Sequence, residues 1–89
     1  MPYEIEFTRA AEKAFSSLPS EIQGRIDRAL DGLENDPWPT GHKKLKGSKE
    51  VVYRVRVGDY RVIYQVEEQR LVVVLIRIGH RKEVYRNLG

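Results

Sequence analysis

The second half of this chain is written in twos. Across residues 51–57, Val51, Tyr53, Val55 and Val57 alternate with Val52, Arg54 and Arg56, the period of a strand whose successive side chains point to opposite faces. Residues 60–66 read as a return strand, and Gly58-Asp59 between them, glycine first, is the order a two-residue type II′ turn favours. A third run, residues 71–78, is almost continuously apolar, as expected of a central strand covered on both faces. Counting outward from the turn pairs Val57 with Tyr60, Arg56 with Arg61 and Arg54 with Ile63. The expectation is an antiparallel meander with Arg54, Arg56 and Arg61 on one face.

What precedes the meander supplies its cover. Tyr3, Ile5 and Phe7 alternate with Glu4 and Glu6, another half-buried strand. Thr8 has the hydroxyl of a helix N-cap, and Ala11, Ala14, Phe15 and Leu18 give the helix after it an apolar stripe. Pro19 interrupts that helix and suits the first turn of a second. There Ile22, Ile26, Ala29, Leu30 and Leu33 recur at helical spacing, with Glu21, Arg25, Arg28 and Asp31 on the other side. Asn35-Asp36-Pro37 ends it, and Trp38, in a Pro- and Gly-rich loop, is placed to cap the core. The reading is an α+β fold of order β-α-α-β-β-β. An N-terminal strand and two helices pack on one face of an antiparallel sheet, a short helical segment follows at the C-terminus, and residues 1–89 form a single domain. A chain of 89 residues buries one modest core, so any chemistry sits on a surface or in a shallow groove.

Composition narrows the chemistry. There is no cysteine, hence no disulfide, thiol nucleophile or thiolate metal site, and two histidines do not complete a usual zinc shell. No metal or cofactor is expected. No apolar run is long enough to span a bilayer and the N-terminus lacks the pattern of a signal peptide, so a cytoplasmic protein without membrane contact is expected. The net charge of +3 conceals a segregation: residues 1–39 carry 4 basic and 8 acidic side chains, residues 40–89 carry 12 and 5. A basic half of this kind suits a polyanion. A run such as His42 to Lys49 can equally be a solvated surface, so placement has to decide; Lys43, Lys44, Lys46 and Lys49 are taken as candidate RNA contacts.

Guanidinium groups facing each other across two strands destabilise a sheet in isolation. No acid lies on these strands except Asp59 at the turn and Glu67 at the far end, which points to an external anion. The tail Ile78-Gly79-His80-Arg81-Lys82-Glu83-Val84-Tyr85-Arg86 adds another guanidinium, an imidazole and a phenol. Arg54, Arg56, Arg61, His80, Arg81 and Tyr85 are therefore the candidate catalytic residues. The chemistry such a set suits is RNA cleavage. RNA carries its own nucleophile, the 2′-hydroxyl, and a nuclease without metal needs to orient it, accept its proton, stabilise the phosphorane and protonate the leaving oxygen. Arginines serve the phosphorane and are poor bases. His80, a lysine such as Lys46, or electrostatic activation of the hydroxyl remains for the base.

Three motifs in order, Lys44-Leu45-Lys46-Gly47, Tyr53-Arg54-Val55-Arg56-Val57-Gly58-Asp59-Tyr60-Arg61-Val62-Ile63-Tyr64 and Ile78-Gly79-His80-Arg81-Lys82-Glu83-Val84-Tyr85, resemble the RelE/ParE toxin superfamily over essentially the whole chain. The resemblance implies a type II toxin whose RelE branch is an endoribonuclease cleaving mRNA in the ribosomal A site, silenced when a cognate antitoxin wraps it in a hetero-oligomer. By position, Arg54 and Arg56 fall where some RelE toxins have lysines. Arg61 and Arg81 match arginines assigned to phosphate binding and transition-state charge, and Tyr85 matches a tyrosine that stacks on the substrate or aids proton transfer. The alternatives on the same fold are a ParE-like toxin acting on DNA gyrase and a basic RNA-binding module without catalysis. The antitoxin is expected to be acidic and partly disordered until bound.

Overall fold

Thr8 joins the two layers of the molecule. In the computed structural model, which describes residues 2–45 and 50–85, the Thr8 hydroxyl accepts the Ala11 amide at the start of helix α1 (Arg9–Ser16) and donates to the Ile76 carbonyl in the sheet, at 3.2 and 3.1 Å. Its own amide donates to the Leu75 carbonyl at 3.0 Å. One side chain thus caps the helix, as its sequence context indicates, and ties it to the last strand. Pro19 stands just ahead of helix α2 (Ser20–Asn35), and Gln23 donates to the Phe15 carbonyl at 2.8 Å, a second donor to an oxygen at the end of α1 that also accepts the Leu18 amide at 3.1 Å.

The strands are β1 (Glu4–Phe7), β2 (Lys43–Leu45), β3 (Val52–Val57), β4 (Tyr60–Glu67) and β5 (Val72–His80), in the spatial order β1-β5-β4-β3-β2. The expected meander is present, and its register is the one counted from the turn: Val57 opposite Tyr60, Arg56 opposite Arg61, Arg54 opposite Ile63. Gly58 has φ +61° and Asp59 is not among the positive-φ residues, as a type II′ turn requires.

Three expectations need correcting. The sheet is mixed rather than antiparallel, because β1 lies parallel to β5, Glu4 opposite Val72 through Phe7 opposite Leu75. Alternation reveals which face a strand buries but not which way it runs. The basic run also contributes a short edge strand, with Lys43 opposite Arg54 and Leu45 opposite Val52; lysines on an edge deter further pairing. Finally, the tail of the described residues makes one turn, the Val84 amide donating to the His80 carbonyl at 2.9 Å, and not a helix. Two boundaries also move: Val51 is exposed and precedes β3, and Leu71, with φ +54°, belongs to the β4–β5 turn.

The core lies between the helices and one face of the sheet. Ala11, Ile26, Leu30 and Leu33 from the helices meet Val55, Val57, Val62, Tyr64, Val73, Leu75 and Ile78. Trp38 meets Tyr3 and Tyr53 edge-on, centroids 6.4 Å apart in each case, closing one end of this core. The opposite face has a much smaller apolar cluster, Val52, Ile63 and Val84 with Leu45 and Ile76 against it.

Candidate active site

The register of the β3–β4 hairpin decides the site. Tyr53, Val55 and Val57 point to the helices, so Arg54 and Arg56 point away from them, and Arg61, across from Arg56, joins them. Burial differs sharply within the trio. Arg54 is only 5% exposed, Arg61 9%, and Arg56 lies open to solvent. Arg61 is held in place, its Nη1 donating to the carbonyls of Gly58 and Tyr60 at 2.9 Å each. Arg54 is not satisfied: its buried Nε has no hydrogen-bond partner among the described residues. Leaving a buried charged donor unpaired costs more than leaving a neutral one. Arg70, at the far end of the sheet, shows the ordinary arrangement, since it pairs with both Glu67 and Glu6.

The remaining candidates divide between the faces. Lys43, opposite Arg54, extends the arginine face across β2; Lys44, opposite Tyr53, turns to the other side. Lys46 and Lys49 lie outside the described residues. Arg81 comes to the rim beside the turn, its amide donating to the Asp59 carbonyl at 2.8 Å and its Nε 3.9 Å from the Asp59 carboxylate. Tyr85 is 41% exposed and follows directly on Val84, which is buried against Val52 and Ile63 on the arginine face. His80 is not brought to that face. It stands opposite Tyr60, whose ring it meets edge-on at 5.7 Å, and its Nδ1 accepts the Lys82 amide at 3.2 Å. With Nδ1 as acceptor, the neutral ring carries its hydrogen on Nε2.

Sequence reasoning missed the residues that anchor the tail. Val84 packs over Gly79, where an added Cβ would come within 3.6 Å of it, and so fixes where Arg81 and Tyr85 emerge. The available signal was a lone aliphatic residue, Val84, between Glu83 and Tyr85 in a segment otherwise rich in charge.

The strongest proton-affinity shift lies on the core side. Burial first, then the neighbouring Tyr53 and Asp36, hold the Tyr64 phenol well above the ordinary tyrosine value, and its hydroxyl donates to the Pro37 carbonyl at 2.7 Å. This is a structural anchor for the loop that leads into β2. No group of three or more His, Cys, Asp or Glu side chains among the described residues is disposed to hold a metal ion. None of their helices is long and apolar enough to cross a membrane. The site as a whole is an open basic sheet face with a tethered tail at one edge, and a groove of about 410 Å³ between α2 and the edge of β3 reaches it only through Arg56.

Comparison with known proteins agrees with this fold. The profile described as the ParE toxin of type II toxin-antitoxin system, parDE, matches residues 5–85. Toxin RelG of Mycobacterium tuberculosis is 31% identical over 87 residues, covering 97% of this chain and 99% of that protein. The mRNA interferase toxin RelE of Escherichia coli K12 is 30% identical over 88 residues, covering 96% of this chain and 92% of its own length. Among solved structures, a chain of the archaeal RelE-RelB complex from Pyrococcus horikoshii OT3 superposes with a TM-score of 0.79 at 33% identity, covering 94% of this chain and 100% of that one. A profile spanning nearly the whole chain, full-length relatives at this identity and a shared fold lead to one conclusion: the protein belongs to the RelE/ParE superfamily of type II toxin-antitoxin toxins and is of the RelE type.

Proposed function

We propose that this chain is the toxin of a type II toxin-antitoxin pair, a metal-free endoribonuclease that cuts messenger RNA on the ribosome in the cytoplasm. The observation that carries the reading is Arg54, a buried guanidinium whose Nε has no partner among the described residues, beside the cross-strand pair of Arg56 and Arg61 with no carboxylate on the intervening strands. A phosphate arriving on this face relieves the repulsion, and pairs with Arg54 as that side chain moves out of its buried, incompletely bonded position.

In the proposed reaction the 2′-hydroxyl oxygen attacks the adjacent phosphorus and the bond to the 5′ oxygen breaks, leaving a 2′,3′-cyclic phosphate and a free 5′-hydroxyl. Arg54, Arg56 and Arg61 stabilise the extra charge of the phosphorane, for which donors fixed in advance are worth most. Arg81 supports the leaving side, and the exposed ring of Tyr85 stacks on a base or passes a proton. His80, turned to the other side with Nδ1 engaged, is not assigned the base. The arginine field activates the hydroxyl, with Lys46, outside the described residues, as the side chain to test for proton transfer. An open face holds RNA weakly and orients it poorly, which fits an enzyme that relies on the ribosome to present its substrate. The same face suits an acidic antitoxin; solved relatives include RelE-RelB complexes, and a hetero-oligomer with such a partner is the resting form proposed here.

The test is primer-extension mapping of a defined mRNA in a purified translation reaction, beside the same RNA without ribosomes. Cuts at codon positions only on translating ribosomes are expected. Equal cutting of free RNA would remove the ribosome from the proposal. No cutting in either sample by folded protein would overturn it and direct attention to DNA gyrase.

A further inference from the structure

The two turn residues of the β3–β4 hairpin collect guanidinium groups from three separate parts of the chain. Arg61 of β4 donates to the Gly58 carbonyl. Arg81 of the tail lies beside Asp59. The third is Arg25 of α2, which sequence periodicity assigns to the solvent side of its helix. Its guanidinium lies against the turn: a Cβ built on Gly58 would stand 3.0 Å from Nη2 and 3.1 Å from Nη1. Glycine at this position therefore does two things. It permits the positive φ, and it leaves room for Arg25 to rest against the turn peptide.

Arg25 takes this position against its local interest. Glu21 stands four residues earlier on the same helix, the spacing and order at which a glutamate and an arginine pair most readily. Yet among the described residues the ion pairs are those of Arg70 and Arg81, and Arg25 has none. It reaches the hairpin turn instead, and the only carboxylate at the turn, that of Asp59, is 71% exposed and already faces Arg81. Three guanidinium groups around two residues with so little compensation form a site for an anion.

We propose that Arg25 binds a phosphodiester of the RNA backbone flanking the one held by Arg54, Arg56 and Arg61, so that the RNA-binding surface continues round the hairpin tip onto α2. This rests on the function proposed above. Arg25 touches no reacting atom in this arrangement; it contributes to holding the strand. The phosphate belongs either to the messenger strand or to ribosomal RNA, and the experiment separates the two.

The variant is Arg25→Gln, at an exposed position where folding is checked by circular dichroism and thermal melting, with Arg25→Lys restoring the charge. The first probe is a 2′-O-methyl oligoribonucleotide, which binds but is not cleaved. Arg25→Gln is expected to weaken its binding by about 3- to 10-fold at low salt and to reduce the slope of log K against log salt by about 0.7, while Arg25→Lys keeps the slope. The second probe is cleavage on ribosomes programmed with a defined mRNA, where the effect is expected on KM rather than kcat. A change with both probes places the phosphate on the messenger strand, and a change on ribosomes alone places it on ribosomal RNA. If Arg25→Gln matches wild type with both probes while Arg56→Gln weakens them, the Arg25 inference is overturned and the proposed function stands. If wild type neither binds the oligonucleotide nor cuts on ribosomes, both fall.

Discussion

The two faces of this sheet are made by the same strands and differ by a single residue of phase. On one, Tyr53, Val55, Val57, Val62 and Tyr64 are sealed by two helices. On the other, Arg54, Arg56 and Arg61 share space with a small apolar cluster, and Arg54 is buried without full satisfaction. The first face obeys the rules for stability: apolar contact throughout, and for the one buried phenol a carbonyl to bond. The second breaks those rules in a defined place. In so small a domain, alternation along a strand keeps the part that holds the fold apart from the part proposed to hold the RNA.

The largest effect that tests this separation is on the sealed face. Ile26→Ala, at a fully buried position, should cost about 2–5 kcal/mol and lower Tm by at least about 8 °C, while cleavage per folded molecule stays near wild type. Arg61→Ala should do the reverse, reducing cleavage by about 10²-fold or more with a much smaller change in Tm. If the two variants lose stability and activity in the same proportion, the faces are not separate in function. Val84→Ala sits between them. It removes about two buried methylene equivalents, about 1.5 kcal/mol, and by loosening the tail should also lower cleavage by about 3- to 10-fold, measured under single-turnover conditions. A variant that melts earlier yet cuts at the wild-type rate would show that Val84 stabilises without positioning.

The smallest effect expected is at Tyr64. Tyr64→Phe removes the bond to Pro37, worth about 1 kcal/mol. Because the folded phenol titrates above the ordinary value of 10.0, the unfolded chain loses its proton first as pH rises. The stability this group contributes is fully present below pH 10.0 and declines above it. The advantage of wild type over Tyr64→Phe, followed by denaturant melts from pH 8 to 11, should shrink at the alkaline end.

Much of this was legible in the sequence because it is local. The type II′ turn at Gly58-Asp59 fixes the register of its hairpin, and the register fixes the arginine face, so Arg54, Arg56 and Arg61 follow from counting. The Thr8 cap and the apolar stripes of both helices are equally local. What was not legible depends on meetings between distant segments. The parallel pairing of β1 with β5 joins opposite ends of the chain. The face of His80 is set by a bulge: the register shifts between Ile63 and Tyr64, so that Leu75 and Ile78, three residues apart, both meet core positions of β4. Strict alternation after Leu75 would have sent His80 to the arginine face; one extra residue sends it to Tyr60. Arg25 was hidden for a related reason, since a helical period shows which side of α2 is wet but not what a long side chain reaches from there.

The parallel pairing of the first and last strands also sets when this protein comes into existence. Glu4 pairs with Val72 and the Thr8 hydroxyl bonds to Ile76, contacts separated by 68 residues, and β5 lies between β1 and β4 in the sheet. While the chain is being made, β1 has no neighbour, α1 has no strand to rest on, and the tail bearing Arg81 and Tyr85 has yet to be synthesised. Strand pairing of such long range waits until both partners have left the exit tunnel. The sheet therefore closes only once β5 has been made, so the toxin domain folds after its strands are complete rather than alongside their synthesis.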